Sequence, residues 1–183
     1  MKTIKKQAGV GLVEVLVALL ILAVGVLGFV ALQYRAIEAS SEGANRVQAI
    51  NLARDLAEKI RVNRENITVY QTSLSAGYDE IDDVPAVEET PTSPAKEAII
   101  NDCFKNYCTS QKKAEFDSAI SVLAARRVGM TINMMVCPGV SNGRTCIYVA
   151  WGDTSATNAD GVNNCTTNGA YRDESTCVVM EAY

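Results

Sequence analysis

The sequence predicts an α+β chain: a long N-terminal helix, transmembrane then amphipathic, packed on a small antiparallel β-sheet domain held by disulfides. Three observations carry this reading. An apolar run from Val10 to about Leu32 holds one charged side chain, Glu14. A three- and four-residue apolar periodicity carries the helical pattern on to about Asn63. All 6 cysteines, with two segments of alternating apolar residues, lie beyond residue 100.

The apolar run is long enough, at about 1.5 Å rise per residue, to cross a bilayer as a helix. Its 16 Leu, Ile, Val and Phe residues each favour insertion by roughly 0.3 to 0.6 kcal/mol, against roughly 2.5 to 3.5 kcal/mol for a buried acid. Insertion therefore wins with Glu14 in place, and an intramembrane carboxylate that insertion does not need marks a functional site. The plainer reading, a carboxylate shallow enough to reach the headgroups, stands beside it. Lys2, Lys5 and Lys6 precede the run with no acid among them, which keeps the N-terminus cytoplasmic and sends Arg35 onward across the membrane. The core is too long for an ordinary cleaved secretory signal.

The helix continues past the membrane. Val47, Ile50, Ala53, Ala57 and Ile60, with Ala49, Leu52 and Leu56 beside them, mark an apolar face. Arg54 with Glu58 and Asp55 with Lys59 sit at i,i+4 on the outer face. One helix of about 50 residues, roughly 75 to 80 Å long, has a lipid-facing half over 10–32 and an amphipathic half over 33–66. The pattern is too short for a coiled coil, so the second half packs on the C-terminal region.

From 67 to 98 the chain reads as an acidic connecting loop: between Ser73 and Glu97 lie Gly77, Pro85, Pro91 and Pro94 with Asp79, Glu80, Asp82, Asp83, Glu88 and Glu89. Ser93-Pro94 has the form of an N-cap followed by proline at the first helical position. A further helix runs from Thr109 or Ser110 to about Arg126, with Phe116, Ile120 and Leu123 on one face.

Region 99–183 is the disulfide-bonded globular part. Val128, Met130, Ile132, Met134 and Val136 alternate with more polar neighbours, turn residues follow from Pro138 to Gly143, and Ile147, Val149 and Trp151 alternate again. If Cys137 and Cys146 face each other across this hairpin, Val136 falls opposite Ile147, Met134 opposite Val149 and Ile132 opposite Trp151, all on one face. A one-residue slip breaks that match. Cys165 and Cys177 are then the natural second pair, closing a loop rich in Asn, Thr and Gly before a strand from Val178 to Ala182. Cys103 and Cys108 remain as a short local pair, and six cysteines allow other connectivities.

Composition narrows the function. A net charge of −4 argues against a general nucleic-acid binder, and Lys112, Lys113, Arg126 and Arg127 read as a solvated helix face. With 0 histidines and no C-x2-C pair, clustered cysteines outside the cytoplasm read as disulfides rather than zinc ligands. Asn158-Ala159-Asp160-Gly161 lacks the first acidic ligand and closing glutamate of a calcium loop and reads as a turn. No histidine base, nucleophile motif or phosphate-binding glycine loop is present. Neither an enzyme nor a cofactor is expected.

The basic leader, Gly9, an apolar Val10, then Leu12, Val13 and Glu14 at the head of a hydrophobic helix resemble the class III leader of type IV pilins and pseudopilins. The resemblance implies the type IV pilin fold, cleavage after Gly9 by a prepilin peptidase, N-methylation of Val10, and a role for Glu14 as the assembly carboxylate that meets a neighbouring subunit's N-terminal amine. Val10 stands where phenylalanine is usual, Gly11 where threonine is usual, and Ala31 where many major pilins carry a kinking proline. The Cys165 to Cys177 loop resembles the disulfide-bounded region of type IV pilins, and the Cys-flanked hairpin with Val149-Ala150-Trp151 is similar to minor pilins of the PilV class.

The resemblance implies a minor pilin, made as an inner-membrane precursor with a periplasmic C-terminal domain and later incorporated in a pilus. It would take part in pilus assembly or initiation and support twitching motility, adhesion or DNA uptake. Its expected partners are other minor pilins, the major pilin, prepilin peptidase, the inner-membrane assembly platform and membrane lipid. Two other readings share these residues: a type II secretion pseudopilin, and a membrane-anchored extracytoplasmic binding domain that never polymerises.

Overall fold

In a computed structural model of the chain, the described residues are 11–75, 103, 107–140, 143–159 and 161–182. They form helix α1 (Leu12–Val62), a 3-10 turn (Arg64–Asn66), α2 (Ile67–Ser75), α3 (Ser110–Arg127), and strands β1 (Met130–Val136), β2 (Thr145–Trp151), β3 (Thr166–Thr167), β4 (Ala170–Tyr171) and β5 (Cys177–Glu181). The chain divides into two compact units, Met1–Ala44 and Asn45–Tyr183. Long N-terminal helix, small antiparallel sheet and disulfides together make this an α+β chain, the arrangement expected from the resemblance.

Within the first unit every described residue from Gly11 to Ser41 is exposed. An 18-residue window of this helix has a mean hydropathy of 3.1 and none of it is buried. A helix apolar on all sides suits a membrane or a bundle rather than a surface in water.

In the second unit α1 buries a narrow stripe. Ala49, Ala53, Leu56 and Ile60 are all inaccessible, at the spacing that keeps one helix face in line. Val47, read from sequence as part of that face, is 60% exposed. Two alanines in the stripe let the helix backbone approach its neighbours closely. Lys59 pairs with Asp55 at 2.6 Å, whereas Glu58 meets Arg61 at 3.8 Å.

The helix ends at Val62, and Asn63 (φ −127°, ψ 47°) opens the 3-10 turn. Its side-chain amide donates to the Ser110 carbonyl at 2.6 Å and its oxygen accepts from Asn66 at 2.7 Å. The backbone then re-enters helix as α2, so the first nine residues of the expected connecting loop are helical and bury Tyr70 and Leu74. Sequence reading had no strong apolar repeat there. The remainder of that loop and the Ser93-Pro94 cap lie outside the described residues.

Thr109 caps α3, its hydroxyl accepting from the Lys112 amide at 3.3 Å. The C-terminus closes with the Gly129 amide donating to the Arg126 carbonyl at 3.0 Å. Gly129 sits at φ +70°, a left-handed exit that suits glycine and turns the chain straight into β1. The core-facing side of α3 is small and polar: Ala114, Asp117, Ser118, Ser121 and Ala125 are buried, with Val122. Phe116, Ile120 and Leu123 are half-buried around Ala119 in a separate cluster.

The main sheet has the order β1-β2-β5, all antiparallel. Its register differs from the expected one by two residues: Met134 faces Ile147, Ile132 faces Val149, Met130 faces Trp151, and Cys146 lies opposite Met135. A two-residue slip leaves every side chain on its original face, so the apolar alternation could not choose between the registers. The Cys137 amide donates to the Arg144 carbonyl at 2.8 Å, and the disulfide runs diagonally to Cys146.

Every residue of β2 is buried. Ile147, Val149 and Trp151 face the three helices with Met130, Ile132, Met134 and the α1 stripe. Cys146, Tyr148 and Ala150 face the other way, under the chain from Gly152 to Thr176 with Ala156 and Cys165. An antiparallel sheet often leaves one face in water; here both are covered.

Candidate functional site

Glu14 lies in the first turn of α1. Its amide donates to the Gly11 carbonyl at 2.9 Å, as does that of Val15 at 3.3 Å, which starts the helix. The first-turn position places a carboxylate where the helix dipole favours negative charge. Glu14 is exposed, and so are Leu12 (80%), Val13 (72%) and Leu16 (57%) around it. The next charged residue along the helix is Arg35, about 30 Å away at 1.5 Å per residue. The carboxylate is therefore offered outward from an apolar rod with no counter-charge among its helical neighbours. Gly9 and Val10 lie outside the described residues.

A polar knot, unforeseen from sequence, pins the end of α1 to α2 and α3. The Tyr70 hydroxyl donates to Asp117 Oδ2 at 3.0 Å. Lys113 Nζ donates to the same carboxylate at 3.0 and 3.2 Å, and Lys59 Nζ reaches Ser121 Oγ at 3.4 Å. Tyr70 is fully buried and Asp117 nearly so. Burial first, then the Asp117 charge, pushes the Tyr70 hydroxyl well above its usual pKa, so it remains a donor. Lys113 and Asp117 at i,i+4 were a readable ion pair; that Asp117 turns inward to a tyrosine 47 residues earlier is a tertiary fact.

The cysteines occupy three places. Cys137 and Cys146 are bridged, with S–S 2.04 Å and Cα atoms 4.8 Å apart. Cys103 and Cys108 are bridged just ahead of α3. Cys165 and Cys177, expected as a pair, are brought together but remain thiols, both buried and hydrogen-bonded to each other through sulfur. Cys165 lies in the segment that covers the sheet and Cys177 opens β5.

Comparison with known proteins separates two stretches. Residues 4–30 match the prokaryotic N-terminal methylation motif. Residues 31–119 match the family described as type IV pilin Tt1218. The chain thus carries a type IV pilin family domain behind a prepilin methylation motif. No curated protein and no solved structure matches it. The first match takes in Lys5, Lys6, Gly9, Val10 and Glu14; the second runs from Ala31, at the end of the membrane half of α1, to Ala119 in α3. A pilin domain behind such a motif implies a structural protein, processed by prepilin peptidase and assembled with other pilins. The apolar part of α1 anchors it once in the inner membrane before it enters the pilus.

Proposed function

We propose that this pilin is a minor pilin of the PilV class, a filament subunit and not an enzyme, that takes part in starting or building the pilus and is itself incorporated. On this reading prepilin peptidase cuts between Gly9 and Val10 and methylates the Val10 amine. Glu14 then pairs with the N-terminal amine of a neighbouring subunit, minor or major, as the assembly platform lifts the helix from lipid. Twitching motility, adhesion or DNA uptake are the outputs such a pilus would serve.

The observation that supports this best is Glu14 itself, a carboxylate held outward on an apolar helix with no other charged side chain among the described residues before Arg35. Two opposite charges brought together in a low-dielectric bundle attract strongly, and one left alone there is penalised. The pairing therefore rewards one axial register between helices over others.

The test compares Glu14→Gln with the native chain in its host. Membrane insertion and N-terminal cutting stay intact, while recovery in sheared pili falls by about tenfold or more, equivalent to roughly 1.4 kcal/mol or more per subunit. Equal recovery of the variant in pili would overturn the role of Glu14. A mature chain that still begins at Met1 would overturn the cleavage site.

A further inference from the structure

The charges of the first unit mark two levels on α1. No charged side chain intervenes between Glu14 and Arg35, and the two stand about 30 Å apart along the helix at 1.5 Å per residue. The hydrocarbon core of a bilayer is about 30 Å thick. A helix standing near the membrane normal therefore leaves the hydrocarbon at Arg35 on the periplasmic side as it leaves at Glu14 on the cytoplasmic side.

At the periplasmic level Tyr34 stands next to Arg35. Tyr34, the one phenol in α1, is 68% exposed, and the Arg35 side chain is 79% exposed. Leu32 before the pair and Ile37 after it are exposed as well, so apolar residues continue past Leu32 and it is this pair that interrupts them. A ring with a polar tip settles at the headgroup level, and an arginine runs its methylenes along apolar surface with its guanidinium in the polar layer. Arg35 Nη1 also meets Glu38 Oε2 at 3.2 Å. That pair is exposed and weak, and it engages one of the five guanidinium N–H donors. Glu38 and Glu42 follow within two turns, acids that oppose any deeper sinking of the helix.

We propose that Tyr34 and Arg35 dock on the phospholipid headgroups of the periplasmic leaflet and thereby set the depth of α1 before assembly. The guanidinium donates to lipid phosphate oxygens, and the phenol lies beside it with its hydroxyl in the same polar layer. At this depth Glu14 reaches the cytoplasmic headgroups, where its charge is hydrated and needs no partner. On the filament reading above, lifting the helix takes the pair off its lipid and draws Glu14 into apolar surroundings in one movement. The docking itself belongs to the membrane-anchored chain and does not depend on what Glu14 pairs with in a filament.

The contact is tested on full-length protein in vesicles of phosphatidylethanolamine and phosphatidylglycerol, isotope-labelled at the arginine guanidinium carbons, by solid-state NMR dephasing of those carbons by lipid phosphorus. One arginine signal is expected to dephase, and Arg35→Gln to abolish the effect. No dephasing in the native chain, or dephasing that persists undiminished in Arg35→Gln, overturns the docking. Depth is read separately, in bicelles, from the broadening of α1 amides by a soluble gadolinium chelate. Protection is expected to be greatest near Leu22 and to fall away at both Glu14 and Arg35. In the double variant Tyr34→Leu, Arg35→Leu the protected centre is expected to move about two residues toward Ile37, about 3 Å along the helix. A Glu14 amide as protected as that of Leu22, or a centre unmoved in the double variant, overturns the setting of depth.

Discussion

Two stretches of α1 use the same residue types to opposite ends. Between Leu12 and Leu32 the leucines and valines are exposed, Leu19 at 60% and Leu27 at 69%; between Ala49 and Ile60 the stripe of Ala49, Ala53, Leu56 and Ile60 is fully buried. Both belong to one helix with no cap between them. Backbone hydrogen bonding therefore does not distinguish them. The first stretch is apolar on every side and takes its burial from lipid and then from other subunits; the second is apolar on one face and takes its burial from its own sheet.

The sharpest way to break that comparison is to remove the same side chain from each stretch. Leu56→Ala is expected to destabilise the second unit by about 2 to 5 kcal/mol, the transfer loss plus an unfilled cavity. Leu20→Ala, at a side chain exposed among the described residues, is expected to leave that unit unchanged. Trp151, the chain's one tryptophan, is 6% exposed in the core of the second unit. Its fluorescence during urea unfolding in detergent reads the second unit alone. Equal midpoint shifts for the two variants would show that the stretches do not differ as described.

The same contrast explains what could be read in advance. The membrane half and Glu14 were legible because their signal is composition along the chain, with no partner to specify. The start of α3 at Thr109 or Ser110 and its end near Arg126 were legible because helix-end signals are local. The exact pairing of β1 with β2 was not, since registers two residues apart place Ile132, Met134, Ile147 and Val149 on the same face. Full burial of β2 was hidden for a related reason: alternation marks the face of Ile147, Val149 and Trp151 and does not say that another segment covers Cys146, Tyr148 and Ala150. The Tyr70–Asp117 contact joins residues whose own neighbours give no hint of each other. What depended on one element was readable; what depended on which second element arrived was not.

The covered face also sharpens the comparison through pH. The Tyr148 hydroxyl donates to the Val136 carbonyl at 3.1 Å, and burial first of all pushes its pKa up to about 12 from an ordinary 10.0. The folded state thus favours the neutral phenol, and its contribution is fully present below pH 10. Above that the unfolded chain loses the proton while the folded chain keeps it, so the unfolded state binds fewer protons and stability falls as pH rises toward 12. The slope from this group is about 1.4 kcal/mol per pH unit. Tyr148→Phe is expected to flatten the fall in urea midpoint between pH 10 and 12, and an unchanged slope would mean that Tyr148 titrates normally in the fold. The Leu12 to Leu32 stretch, lacking any phenol, contributes nothing to this slope.

The smallest effect is the most local. In the helix every interior amide has a partner four residues back, but β5 is an edge strand among the described residues. The Trp151 amide donates to Thr176 and the Ala182 amide to Thr145, so by antiparallel alternation Val178 and Met180 bond to β2 while Val179 points its backbone outward. Tyr171 meets it there. Its hydroxyl accepts from the Val179 amide at 2.7 Å and donates to the Val179 carbonyl at 3.3 Å, filling an edge that is otherwise open to another strand. Tyr171→Phe is expected to destabilise by about 0.5 to 1.5 kcal/mol. Amide exchange should accelerate at Val179 alone, with Val178 and Met180 unchanged. Protection of the Val179 amide that survives the loss of the hydroxyl would remove Tyr171 from this role and leave the edge guarded by the chain's own twist.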